Sequence, residues 1–245
     1  MQTFLLLFFG FITGLIDSVV GGGGLISLPF LTWMIAPGPE AIGTNKIVGT
    51  TGALISLIVY ARKGHLLLKA GLMFCVVCAI GSYCGSSFAP YVPKDYFKYI
   101  IILVCPIILY IVWNKDKFFA EKNTNHNYHW SIFFASAFLS GFYDGFFGPG
   151  GGTFMFLSLY LGTGFPLLTS IAISKLANTF SAGTALLTYS YNGYVHWEKG
   201  LIMAIGMAIG SFIGATYNTK MDAKIVRPAL TIVVLLLISK LIFFS

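Results

Sequence analysis

The chain has 245 residues, of which 57% are hydrophobic, 16% aromatic and only 9% charged, with a mean hydropathy of +0.84. A soluble domain carries about 25% charged residues, whereas here uncharged apolar stretches recur from end to end, so most of the chain is solvated by lipid; a soluble enzyme and a nucleic-acid-binding domain are both excluded. The net charge of +7 comes largely from Lys and Arg placed between apolar segments, where they set topology and need no polyanion to explain them.

The N-terminal run has no Lys or Arg before Lys46, so it lacks the charged n-region of a signal peptide, and Phe4 onward reads as the first membrane segment. Apolar segments then follow at 4–35, 47–61, 70–90, 99–113, 130–162, 176–195, 200–218 and 228–244. The expected fold is an all-α polytopic membrane protein with eight hydrophobic segments. They form an N-terminal repeat, 1–113, and a C-terminal repeat, 130–245, joined by the polar linker 114–129. Cys75, Cys78, Cys84 and Cys105 sit inside apolar stretches, and Cys75-x-x-Cys78 lacks the second pair or histidines of a zinc site. No metal or cofactor is expected. His65, His126, His129 and His196 fall in polar connections.

Segments one and five are too long for ordinary spans. Each exceeds 30 residues, about 48 Å as a helix, against a hydrocarbon core of roughly 30 Å. Each is also interrupted, by Gly21 to Gly24 and by Gly148-Pro149-Gly150-Gly151-Gly152. Runs of Gly unwind a helix and Pro removes a donor. Non-helical backbone at membrane depth survives only where protein covers it or a cavity opens beside it. Neither run ends in the Gly-Lys-Ser/Thr of a phosphate loop, which argues against nucleotide binding.

The two halves are copies. An offset of 127 places Gly14 on Gly141, Asp17 on Asp144, Gly21 on Gly148 and Gly23 on Gly150; an offset of 129 places Lys46 on Lys175, Tyr60 on Tyr189, Gly64 on Gly193, Gly81 on Gly210 and Gly85 on Gly214. Paired broken helices in a duplicated membrane chain are the pattern of a secondary transporter with its site between the repeats. If segments one and five cross the membrane, the 15 cations split almost evenly between its two sides. If they are re-entrant hairpins, the repeats are inverted. Arg62, Lys63, Lys69, Lys115, Lys117, Lys122, Lys175, Lys220, Lys224 and Arg227 then share one side, ten against five. The positive-inside rule favours inverted repeats with both termini outside.

Asp17 and Asp144 are the only charges in their long segments, one turn before each glycine break. A charge near a helix centre in a bilayer costs about 2.5 to 3.5 kcal/mol on insertion scales. The carboxylates are therefore expected to be paired, capped by freed glycine amides, protonated or facing water, and they are candidate proton carriers. Lys46 and Lys175 stand at the starts of segments two and six, with Asn45 and Asn178 nearby. A lone Lys there would snorkel to the headgroups. Matched lysines with amide side chains and half-helix N-termini instead suggest an anion site. The expected anion ligands are Gly22, Gly23, Gly24, Asn45, Lys46, Gly150, Gly151, Gly152, Lys175 and Asn178. A competing reading is an intramembrane aspartyl protease in which Asp17 and Asp144 share a proton, but the first Asp stands in Gly14-Leu-Ile-Asp17 rather than in a Gly-x-Gly-Asp setting.

Gly14-Leu-Ile-Asp-Ser-Val-Val-Gly-Gly-Gly-Gly-Leu-Ile-Ser-Leu-Pro29, followed by Gly43-Thr-Asn-Lys46, resembles the hallmark of the TauE/SafE sulfite exporter family, also called sulfonate and toluene-sulfonate uptake permeases. The second half agrees through Gly141-Phe-Tyr-Asp-Gly-Phe-Phe-Gly-Pro-Gly-Gly-Gly152 and the Ser-Lys-x-x-Asn of Ser174 to Asn178. The resemblance covers essentially the whole chain. It implies a prokaryotic inner-membrane carrier of sulfite, sulfonates or related sulfur-containing anions. The expected function is a secondary exporter of such anions, coupled to protons taken up at Asp17 and Asp144. A passive anion channel is the alternative. The expected partners are a small anion, protons and membrane lipid, and not nucleic acid; whether the chain forms a homo-oligomer stays open.

Overall fold

A computed structural model describes residues 1–20, 22–113, 130–162 and 165–217. The linker 114–129, the last apolar segment 228–244, Gly21, and the cations Lys115, Lys117, Lys122, Lys220, Lys224, Arg227 and Lys240 lie outside the described residues. Among the described residues every regular element is helical: α1 (Gln2–Val20), α2 (Gly24–Met34), α3 (Pro39–Arg62), α4 (Leu68–Phe88, with a 3₁₀ turn Ala89–Tyr91), α5 (Lys94–Trp113), α6 (Trp130–Phe146), α7 (Gly151–Leu157, continued by a π turn Ser158–Gly162), α8 (Leu167–Tyr191) and α9 (Trp197–Tyr217). Among the described residues three stretches, Pro39–Arg62, Leu68–Tyr91 and Trp197–Tyr217, are long and apolar enough to cross a bilayer.

Segments one and five each become a pair of helices that double back at the glycines. Phe9 of α1 stacks on Phe30 of α2 with centroids 4.2 Å apart, and Tyr143 of α6 meets Phe154 of α7 edge-on at 5.0 Å. The second and sixth segments start earlier than their apolar runs. Pro39 opens α3 with Glu40 in its first turn, a favourable start because Pro lacks the N–H that would be unpaired there. Lys46 therefore lies two turns inside α3, and Lys175 likewise inside α8, so neither is at a helix edge.

The packing of one half is repeated in the other. Helices α1 and α9 run parallel and nearly touch: a Cβ on Gly210 would come within 2.9 Å of the Leu15 backbone nitrogen, and one on Gly206 within 2.9 Å of that of Phe11. Parallel α4 and α6 make the matching contact, since a Cβ on Gly81 would lie 2.9 Å from Phe142 N. Small residues let helix backbones approach closely in lipid, where no hydrophobic drive joins helices. The matched helices α3 and α8 are antiparallel. Gly43 faces Tyr189 at one end, and further along Gly49 lies near Ala182 and Gly183 near Thr50.

Helices α3 and α8 end alike. Gly64 and Gly193 adopt φ of 78° and 75°, and the following amides, His65 N–H and Tyr194 N–H, reach back to the carbonyls of Tyr60 and Tyr189, a left-handed glycine stop. The outer faces of α4 and α9 are also matched. Leu72, Val76, Ile80 and Tyr83 on one, and Leu201, Ile205, Ile209 and Phe212 on the other, are exposed large hydrophobics, while the inward faces carry Gly81, Ser82 and Gly85, and Gly210, Ser211 and Gly214. Apolar residues outside and small or polar ones inside is the arrangement lipid selects.

Candidate functional site

The two breaks meet at the centre of the bundle. A Cβ on Gly24 would come within 2.8 Å of Pro149 Cα, so the turn after α1 rests on the turn after α6. Space is tight within each turn as well: a Cβ on Gly23 would stand 2.6 Å from Asp17 Cβ, and one on Gly151 2.6 Å from Asp144 Oδ1. Gly148 and Gly150 take φ of 102° and 74°, which residues with a Cβ rarely adopt. These glycines let backbone close over the two carboxylates.

Asp17 and Asp144 are buried, at 6% and 3% exposure, as are Lys46 and Lys175 at 2% and 3%. Each Asp is bound by the lysine of the other half. Lys175 Nζ donates to Asp17 Oδ2 and to the Asp17 carbonyl, both at 2.8 Å. Lys46 Nζ lies 3.2 Å from Asp144 Oδ1 and donates to the Asp144 carbonyl. Neither lysine snorkels to a headgroup. The bilayer cost of four charges is met by pairing, supplemented by Gly23 N–H to Asp17 Oδ1 at 3.2 Å and by Ser181 Oγ to Asp144 Oδ2 at 2.6 Å. The residue after each Asp is held too. Tyr60 donates to the Ser18 carbonyl and Tyr189 to the Gly145 carbonyl, both at 3.0 Å, satisfying carbonyls that the helix ends leave without a partner.

Between the pairs lies a cavity of about 30 Å³, room for a water or two. Of the twelve residues expected from the sequence, Asp17, Gly24, Asn45, Lys46, Asp144, Gly150, Gly151, Gly152 and Asn178 line it. Gly22, Gly23 and Lys175 are not among its lining, although Gly23 and Lys175 both bind Asp17. Ser27, which lies within the Gly14 to Pro29 hallmark, and Met207, which carries no sequence signal, also line the cavity. Ser181 was equally silent, whereas Tyr60 and Tyr189 had a signal in their matched positions. The two carboxylates bind lysines and not each other, which is not the proton-sharing pair of an aspartyl protease.

The family model described as "Sulfite exporter TauE/SafE" matches residues 6–241. Among similar proteins, the probable membrane transporter protein ORF9 of Sinorhizobium sp is 35% identical over 235 residues, covering 95% of this chain and 89% of the relative. The probable membrane transporter protein YfcA of Escherichia coli (strain K12) is 31% identical over 241 residues, covering 98% and 89%. The probable membrane transporter protein YunE of Bacillus subtilis (strain 168) is 28% identical over 273 residues, covering 99% and 98%. No solved structure matches the chain.

Proposed function

The chain belongs to the sulfite exporter TauE/SafE family of membrane transporters, and we propose that it is a proton-linked secondary exporter of small sulfur-containing anions, such as sulfite or sulfonates, in a prokaryotic inner membrane. The observation that carries this reading is the pair of buried Asp–Lys contacts crossing between the halves at the two helix breaks, around a small polar cavity. With both carboxylates ionised, the four charges cancel and the lysines are engaged. Protonating Asp144 cancels its charge, and Lys46 is freed to hold an anion beside Asn45, Asn178 and the turn Gly150 to Gly152. Anion and proton thus bind together, because each removes the penalty the other would face in a low-dielectric site. A dianion leaving with one proton carries a net charge of −1, which an inside-negative potential drives outward by about 2.3 kcal/mol per 100 mV.

The repeats are proposed to be inverted, with the two glycine turns as re-entrant tips and both termini outside. Antiparallel α3 and α8 support this. So does the cation balance, which becomes nine against four once Lys46 and Lys175 are counted as core residues. The cavity is narrow, about 30 Å³, and each lysine is engaged by a carboxylate, so a lysine must be released before an anion can be held there. That suits a carrier better than an open channel.

Sulfite counterflow in proteoliposomes tests the reading. Unlabelled sulfite inside should accelerate entry of labelled sulfite, a behaviour that requires alternating access. Uptake indifferent to trans sulfite would mean a channel. Asp144→Asn should keep sulfite binding but lose its pH dependence; unchanged pH dependence in both Asp144→Asn and Asp17→Asn would remove the proton from the mechanism.

A further inference from the structure

We propose that the duplicated site binds a single anion, at Lys46 and Asn45, and that the matched Lys175–Asp17 pair is a permanent clasp between the halves. This rests on the anion-transporter reading above and assigns different tasks to the two copies of one motif.

Three departures from the internal symmetry point the same way. The first is the cavity, which is lined by Lys46 and not by Lys175. Both lysines also donate to the carbonyl of the Asp they pair with, but the carboxylate contact is 2.8 Å for Lys175 and longer, at 3.2 Å, for Lys46. The second is the residue before each lysine. Asn45 is 5% exposed, lines the cavity, and its side-chain oxygen has no hydrogen-bond partner among the described residues. Buried polar atoms are seldom left so, because water would otherwise have bonded them. Ser174 occupies the matched place, and its hydroxyl is already used on the Ile171 carbonyl at 2.8 Å. An amide can meet a ligand at either end, donating to an oxyanion or accepting from an O–H or N–H that the anion retains.

The third departure concerns what each carboxylate keeps when its lysine turns away. Asp144 retains the Ser181 hydroxyl at 2.6 Å. At the place matched to Ser181 the first half has Gly52, which offers no hydroxyl, so among the described residues Asp17 would keep only the longer Gly23 amide contact at 3.2 Å. When Lys46 turns away, Asp144 keeps a hydroxyl partner in either protonation state, since Ser181 can donate to a carboxylate or accept from a carboxyl O–H; Asp17 has no matching hydroxyl. One lysine is free to exchange Asp for substrate, while the other holds α1 to α8.

Calorimetric titration of sulfite into the purified full chain, with thermal melting as the fold control, tests this. The expected result is one sulfite per chain. Asn45→Ala should weaken binding by about five- to tenfold and Ser174→Ala should not change it. Lys46→Gln should weaken it by about 30-fold or more, while Asp17→Asn/Lys175→Gln, which removes both charges of the clasp, should still bind sulfite. Two sulfites per chain, equal losses in Asn45→Ala and Ser174→Ala, or loss of binding in a folded Asp17→Asn/Lys175→Gln protein would overturn the inference while leaving the anion reading standing. If the double variant does not fold, the Asn45 and Ser174 comparison decides. Absence of sulfite binding by the unaltered chain would strike the anion reading itself, and the inference with it.

Discussion

Asp17 and Lys175 are 158 positions apart in sequence and share a bond of 2.8 Å; Lys46 reaches Asp144 across 98 positions. Removing one member of such a buried pair leaves a bare charge, at a cost of about 3 to 5 kcal/mol, and removing both is far milder. Asp17→Ala should therefore lower stability by that amount, and Asp17→Ala/Lys175→Met should recover most of it. Unfolding in detergent, analysed as a double-mutant cycle, measures the coupling; additive losses would show that the pair does not hold the halves together. The sequence pointed to all four charges because each recurs at the matched place in the other half, the aspartates before a glycine break and the lysines at the start of the next segment. It did not reveal who pairs with whom, since nothing local distinguishes a lysine awaiting an anion from one already bound to a carboxylate in the other half. Ser181 was equally invisible, being one hydroxyl among many in an apolar helix.

At the scale of elements, the breaks at Gly21 to Gly24 and Gly148 to Gly152 were legible because no single helix of that length fits a bilayer. The starts of α3 and α8 were not. Apolar windows discount Gly43-Thr44-Asn45 and Ser174-Lys175, yet these residues are helical and buried because they have partners inside the protein: Gly43 packs on Tyr189, Thr44 accepts the His196 amide, Asn45 lines the cavity, Ser174 bonds the Ile171 carbonyl and Lys175 pairs with Asp17. The glycine contacts give an element-level prediction. A Cβ on Gly210 would strike the Phe11 carbonyl, a backbone atom that cannot move aside without shifting α1. Gly210→Ala should destabilise the protein by about 1 to 3 kcal/mol. Gly183, whose nearest neighbour to an added Cβ is Thr50 Cγ2 at 3.9 Å, should accept Ala without loss and gain slightly from a stiffer unfolded chain. Melting temperatures of the two variants check both statements; equal effects would mean that the α1–α9 contact is looser than described.

At the scale of the whole molecule, the proposed inversion makes a labelling prediction. Leu67 and His196 occupy matched, exposed positions before α4 and α9. In a cysteine-free background, Leu67→Cys should react with an impermeant thiol reagent only from the cytoplasmic side, and His196→Cys only from outside. Labelling of both from one side would make the repeats parallel. The glycine contacts described for α1 with α9 and for α6 with α4 have a further consequence. Each half lends its opening helix to the other, so neither can complete its own packing. Residues 1–113 and 130–245 made as separate polypeptides should each be degraded alone and reassemble when co-expressed. A gene of half the present length could once have built the same framework from two identical chains, and only after fusion could Asn45 and Ser174, or Gly52 and Ser181, have diverged.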